Sequence, residues 1–156
     1  RPAMVEESGL VGALRQRLEA VEQRSGVHVH LDASDDQRIP LPIQNELFRV
    51  AEEALNNALK HAHASQLTIG LQTTVDEVAL SIADNGRGFD AHVARTAGGQ
   101  GLSNMAERVS RLGGRFHIDT APGQATTIRV HLPLPSADQW RLRWPQASLS
   151  LNGNRV

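Results

Sequence analysis

With 156 residues, 40% of them hydrophobic and 21% charged, the chain has the composition of one soluble globular domain that can bury a sizeable core. Sixteen basic against seventeen acidic residues leave a net charge of -1, which excludes the basic field that nucleic-acid binders set against phosphates, and the lack of Cys excludes a disulfide framework or thiolate metal site and fits a reducing compartment. No apolar run is long enough to span a membrane and no signal peptide opens the chain; the start at Arg1-Pro2 rather than Met reads as a fragment of a cytoplasmic domain, with room for a membrane anchor upstream.

Leu10, Leu14, Leu18 and Val21 fall at helical spacing and predict a helix over 10–21, capped by Ser8 and ended by Gly26. Val27 to Leu31 alternates apolar residues with His, as a half-buried strand does, so His28 and His30 share one face. Such a pair admits a metal site or, more simply, an edge strand facing solvent. A polar loop from Asp32 to Arg38, with Pro40 and Pro42 behind it, leads extended chain into a long helix from about Ile43 to His63. Phe48, Ala51, Leu55, Ala58, Leu59 and Ala62 give that helix an apolar face for a sheet, while Glu53, Asn57, Lys60 and His61 make a polar stripe on another. Solvent alone accounts for most of such a stripe. Asn56-Asn57 asks for more, because Asn is a mediocre helix former and the pair costs helix stability that something should offset. One amide oxygen completed by phosphate oxygens and waters suits Mg²⁺.

Gln66 to Thr74 and Glu77 to Asp84 alternate apolar and polar residues and predict an antiparallel hairpin that ends at Asp84-Asn85-Gly86-Arg87-Gly88-Phe89. A carboxylate at a strand exit can single out one amino group, and the flanking glycines let a backbone approach a ligand; Asp-Asn-Gly is equally an ordinary turn. Asp90 to Gln100 is polar and small, with Gly98 and Gly99, and reads as a lid or as a flexible linker. A helix resumes from Leu102 to about Leu112, striped by Leu102, Met105, Val109 and Leu112 and stopped by Gly113-Gly114. Starting directly after Gly-Gly-Gln-Gly, it turns its free N–H groups and positive dipole end toward the glycine loop, where phosphate is the natural occupant. Arg115 to Thr120 and Ala125 to Leu132 form a second hairpin about Pro122-Gly123. Past Pro133 no period is sustained, which predicts a loosely packed tail with Trp140 and Trp144 docking on a neighbour. There is no G-x-x-x-x-G-K-[ST], no G-x-S-x-G and no H-E-x-x-H, so P-loop kinase, serine hydrolase and zinc peptidase are excluded.

Glu53-Ala54-Leu55-Asn56-Asn57-Ala58-Leu59-Lys60-His61-Ala62, Asp84-Asn85-Gly86-Arg87-Gly88-Phe89 and Gly99-Gln100-Gly101-Leu102 resemble, in order and spacing, the N, G1 and G2 boxes of sensor histidine kinases. The likeness covers about residues 42 to 133. It places the chain in the wider ATPase group of gyrase, the heat-shock chaperone and the MutL repair proteins. The wording FRVAEEALNNALKHAHA and GLSNMAERVSRLGG looks most like the NarX and DesK branch. Implied is a two-layer α/β sandwich, a Bergerat-type ATP-binding fold with helices on one face of a mixed, mainly antiparallel sheet. Residues 1–26 would be a linker helix after a dimerisation domain, 27–133 the catalytic domain and 134–156 an irregular tail.

Residue by residue, the resemblance implies that Asn57 coordinates Mg²⁺ and that Glu53 is polar or basic partner to the attacking group. Lys60 and His61 would lie along the phosphates and ribose. Asp84 would accept from the adenine amine, Gly86 and Gly88 would allow the close approach, and Phe89 and Thr127 would join the pocket. Gly99 and Gly101 would hinge a lid, with Leu102 and Met105 against the nucleotide. The lid is short and lacks an obvious phenylalanine box. The implied reaction moves the γ-phosphoryl group of ATP to a histidine, and the implied partners are the protein's own dimerisation domain and a response regulator with a DNA-binding output domain. The fragment would be monomeric and the full protein a homodimer. A serine kinase acting on an anti-sigma antagonist and a non-catalytic, ATP-switched binding module share the fold. In the resembled family the acceptor His is followed by Asp or Glu, whereas the seven here are followed by Val, Leu, Ala, Ala, Val, Ile and Leu. The phosphorylated histidine is therefore expected upstream of Arg1.

Overall fold

Period-two alternation lays down five strands, β1 (His28–Ala33), β2 (Gln66–Thr73), β3 (Glu77–Asp84), β4 (Arg115–Asp119) and β5 (Thr126–Pro133), in a computed structural model that describes residues 2–90, 100–143 and 145. They form one sheet in the order β1-β2-β3-β5-β4, with β1 parallel to β2 and every other pair antiparallel. Register puts Ile69 opposite Ile82 and Ile82 opposite Ile128, and Leu71, Leu80 and Val130 make the next row, so one face is continuously apolar. The opposite face carries Thr68, Gln72, His117 and Arg129, all exposed. His28 and His30 are exposed on β1, which is an edge strand.

The apolar face is covered by three helices, α1 (Pro2–Ser25), α2 (Leu41–Lys60) and α3 (Gln100–Arg111). Phe48, Leu47, Leu55, Ile69, Leu71 and Leu80 are fully buried between the layers, each worth about 1.5–3 kcal/mol relative to exposure. The two-layer, mixed-sheet architecture is thus the expected one. α2 opens with Pro42 in its first turn and stops at Lys60; His61 is its cap, and His63 takes a left-handed turn (φ 50°). The helix therefore starts two residues before Ile43 and stops three before His63, shifted toward the N-terminus from the bounds its period suggests.

α1 departs further from expectation. It begins at Pro2, breaks at Gly9 (φ 73°, ψ 171°) and restarts at Leu10. Ser8 does not cap the restart: the Val11 N–H donates to Asp36 Oδ2 (2.8 Å) and the Leu10 N–H to Gln44 Oε1 (2.9 Å). The orphan donors of a helix start are met here by Asp36 in the loop before α2 and by Gln44 in the first turn of α2. Val5, Leu10, Ala13, Leu14, Leu18 and Val21 belong to the same core as the sheet, so the segment expected as a linker packs as part of the domain. Gly26 (φ 70°) ends α1 as its sequence predicts.

The stretch after Pro133 is not wholly irregular. A seven-residue helix, α4 (Ala137–Arg143), forms where Ser136 Oγ accepts from the Gln139 N–H (3.3 Å) and Gln139 Oε1 accepts from the Ser136 N–H (3.1 Å). That reciprocal pair is a capping box. Arg143 holds α4 to the end of α3 by donating to the Arg111 carbonyl (2.8 Å). Trp144 lies outside the described residues.

Candidate functional site

Asp84 is the last residue of β3 and points to the helix-covered face, in register with Leu67 on one side and Thr126 on the other. Its carboxylate accepts from the Gly86 N–H (2.8 Å) and from the Thr126 backbone N–H. Burial pushes its pKa above the ordinary carboxylate value, and the two N–H donors offset that only in part. A half-buried carboxylate with no cationic side chain among the causes of its shift has acceptor capacity left for a donor arriving from outside.

The turn after Asp84 is bolted down on both sides. Asn85 Oδ1 accepts from the Ser65 and Gln66 N–H groups (2.9 and 2.8 Å), fixing the start of β2. Arg87 donates from Nε to the His61 carbonyl (2.9 Å) and from its backbone N–H to the Ala62 carbonyl (2.8 Å). Those carbonyls belong to the turn whose own N–H groups donate back to Asn57 O (3.0 and 3.1 Å). A cation thus caps the negative end of α2, and the Asp84 turn hangs on the turn of chain that carries Asn57.

The glycines of this turn serve the chain's own packing before any ligand. A Cβ on Gly86 would strike the Ala62 carbonyl and side chain, and one on Gly88 (φ 65°) would strike the Ala121 and Gln124 carbonyls. Phe89 is half-buried and packs on the core, with its N–H on Thr120 Oγ (3.2 Å).

On α2, Glu53 and Asn57 are half-buried, and Lys60 and His61 are exposed. Glu53 lines a polar cleft of about 200 Å³ between α2 and α3, together with Asn56, Gly101, Asn104, Met105 and Arg108. A Cβ on Gly101 would collide with Glu53 Oε1, so glycine is what lets that carboxylate lie against the start of α3. Met105 and Leu102 are both buried in the core, and of the two only Met105 also lines the cleft. Asn56 rather than Asn57 lines this cleft. Gly99 lies outside the described residues.

Thr127 does not join this group. It pairs with Ala83 and Asp119, and strand alternation turns it to the far face of the sheet. The threonine on Asp84's face is its neighbour Thr126, 3% exposed, whose hydroxyl lies 2.8 Å from Thr120 Oγ. A buried hydroxyl opposite the key carboxylate could have been found from the register of the second hairpin against β3.

For a metal, the described residues hold no cluster of three or more His, Asp or Glu that could serve as ligands. Asn57 offers one half-buried amide oxygen on the polar side of α2. That donor fits a hard cation only where phosphates and waters supply most of the shell, which is how Mg²⁺ is usually held.

The model of a family described as "Histidine kinase-, DNA gyrase B-, and HSP90-like ATPase" matches residues 43–136, more than half of the chain, and runs from within α2 past the end of β5. The chain belongs to this ATPase family. Among the relatives of this ATPase is the signal transduction histidine-protein kinase/phosphatase DegS of Bacillus subtilis (strain 168), 38% identical over 140 residues that cover 86% of this chain and 36% of DegS. The sensor histidine kinase LiaS of the same organism is 31% identical over 134 residues, 86% of this chain and 37% of LiaS. Both belong to the NarX/DesK-like branch. The ATPase domain here therefore spans about a third of the length of these curated relatives. Its fold is shared with the histidine kinase domain of the Erythrobacter litoralis EL346 blue-light activated histidine kinase, at a TM-score of 0.72 and 18% identity over 94% of this chain and 74% of that one. No described helix is long and apolar enough to cross a membrane.

Proposed function

We propose that this chain is the ATP-binding catalytic domain of a two-component sensor histidine kinase. The single observation that carries the reading is the Asp84 turn: a desolvated carboxylate, held by two backbone N–H groups, is tied through Arg87 to the turn of α2 that closes on Asn57. A donor-bearing base at one end and phosphates along the polar stripe at the other fit that arrangement. The family and the sensor-kinase relatives support it.

In this reading the Asp84 carboxylate accepts from the exocyclic amine of adenine. Lys60, exposed at the end of α2, balances phosphate charge, and His61, exposed beside it, lies along the phosphates and ribose. Asn57 would hold the Mg²⁺ that ATP carries, which supplies charge neutralisation when bound. The N-terminal turn of α3, which contains Gly101, adds the positive end of its dipole. An imidazole nitrogen of the acceptor attacks the γ-phosphorus, the bond to the bridging oxygen of ADP breaks, and Glu53 receives or orients the imidazole proton. Positioning and charge stabilisation carry most of the rate.

The acceptor histidine sits on a dimerisation domain, which makes the whole protein a homodimer, and the phosphoryl group passes on to a response regulator with a DNA-binding output domain. The test is to supply a dimerisation helix pair in trans with labelled ATP. Phosphate that is acid-labile and alkali-stable, on histidine, is the expected result. Phosphate on serine, or bound nucleotide without transfer, would overturn the kinase assignment.

A further inference from the structure

Three backbone segments meet at one hydroxyl. Thr120 Oγ accepts from the Phe89 N–H (3.2 Å), lies 3.4 Å from the Phe89 carbonyl and 2.8 Å from Thr126 Oγ. Thr126 in turn stands opposite Asp84 across β3 and β5, and its backbone N–H donates to the Asp84 carboxylate. Thr120 itself falls in none of the three sequence boxes.

We propose that Thr120 is a positioning residue that sets the direction of the Thr126 hydroxyl and so the choice among purine rings; the proposal rests on the adenine reading of the Asp84 pocket. Thr120 has one proton and two acceptors within reach. The 2.8 Å separation to Thr126 is that of a good O–H···O bond, whereas 3.4 Å to the Phe89 carbonyl is long for one. With the Thr120 proton on Thr126 Oγ, the hydrogen of Thr126 is left to donate elsewhere, on Asp84's face of the sheet.

The pocket wall then presents an acceptor, Asp84, beside a donor, Thr126. Adenine carries the complement, an amino donor beside a ring-nitrogen acceptor. Hypoxanthine carries a carbonyl beside a ring N–H and sets acceptor against acceptor and donor against donor. Mismatched partners in a desolvated site are what discriminate strongly between analogues. Without Thr120 the Thr126 hydroxyl can rotate and accept as readily as it donates, so the donor half of this pattern is lost.

The experiment is calorimetric titration of ATP and of inosine triphosphate into the chain and into Thr120→Val, Thr120→Ser and Asp84→Asn, with an unfolding curve for each. Thr120→Val is expected to bind ATP about tenfold more weakly and to lose about as much of the ATP-over-inosine preference, while Thr120→Ser keeps both. Should Thr120→Val fail to fold, Thr120→Ala gives the same readout. An unchanged preference in the variant without the hydroxyl, whatever happens to its stability, overturns the role of Thr120. If the unaltered chain shows no preference, or Asp84→Asn binds ATP as the parent does, the pocket reading fails and takes the proposal with it.

Discussion

Arg87 Nε lies 2.9 Å from the carbonyl oxygen of His61, and with the Arg87 backbone N–H on the Ala62 carbonyl (2.8 Å) it couples the turn that leaves Asp84 to the end of the helix that carries Asn57. The guanidinium is exposed, so its contribution is that of a cation at a helix C-terminus rather than of a buried bond. Arg87→Ala should lower stability by about 0.5–1 kcal/mol in urea denaturation, and should weaken ATP binding more than stability, because the brace between the two ends of the site loses its side-chain half and keeps only the backbone bond to Ala62. Equal binding by the two proteins would mean that the brace is not used.

Asp84 gives the site a pH signature of definite sign. Burial raises its pKa in the folded chain, so the folded state keeps the proton to higher pH than the unfolded state does. Stability is therefore greatest where both states are protonated, falls as pH rises from the ordinary carboxylate value through the raised one, and stays lower above it. ATP affinity should move the other way across the same window, since the adenine amine needs an ionised acceptor. Asp119 contributes a limb of opposite sign, its pKa lowered by the His117 hydrogen bond and by Arg129. Comparing the parent with Asp84→Asn leaves that limb in place and removes only Asp84's. Identical pH profiles for the two would refute the assignment.

The Glu53 carboxylate lies where a Cβ on Gly101 would stand. Gly101→Ala must displace it, and a displacement of about 1 Å in a reacting group costs about a hundredfold in rate. The phosphotransfer rate should fall by about that factor while the unfolding midpoint moves little, and Glu53→Gln should fall at least as far. A Gly101→Ala variant as fast as the parent would remove Glu53 from the chemistry.

Capping of α1 from the loop before α2 makes a stability prediction that the sequence alone gets wrong. Asp36→Ala should cost about 1 kcal/mol, the usual loss for an N-cap, and Ser8→Ala should cost much less. Urea denaturation of the two variants side by side checks this, and the reverse ranking would contradict the geometry.

How much was legible follows from which signals are local. β2, β3, β5, α2 and α3 announce themselves through strict period, and the polar stripe of α2 and the carboxylate at the end of β3 could be named from residues alone. The start of α1 could not, because its cap is supplied by Asp36, 25 residues away. α4 was hidden by the lack of an apolar period, although Ser136 and Gln139 spell its capping box. Thr126 and Thr127 are adjacent and identical, so residue type does not separate them; only register against Asp84 decides which faces the site, and a slip of one residue reverses every side chain of a strand. Gly86 and Gly88 suggest room for a ligand from sequence alone, whereas the first demand on both comes from Ala62 and the loop at Ala121 to Gln124.

The most direct measurement is a crystal structure of the chain with a non-hydrolysable ATP analogue and Mg²⁺. The expected result is one nucleotide whose exocyclic amine donates to the Asp84 carboxylate and whose phosphate-bound Mg²⁺ is coordinated by the Asn57 side-chain oxygen. A nucleotide that touches only one of those two residues, or neither, would contradict it.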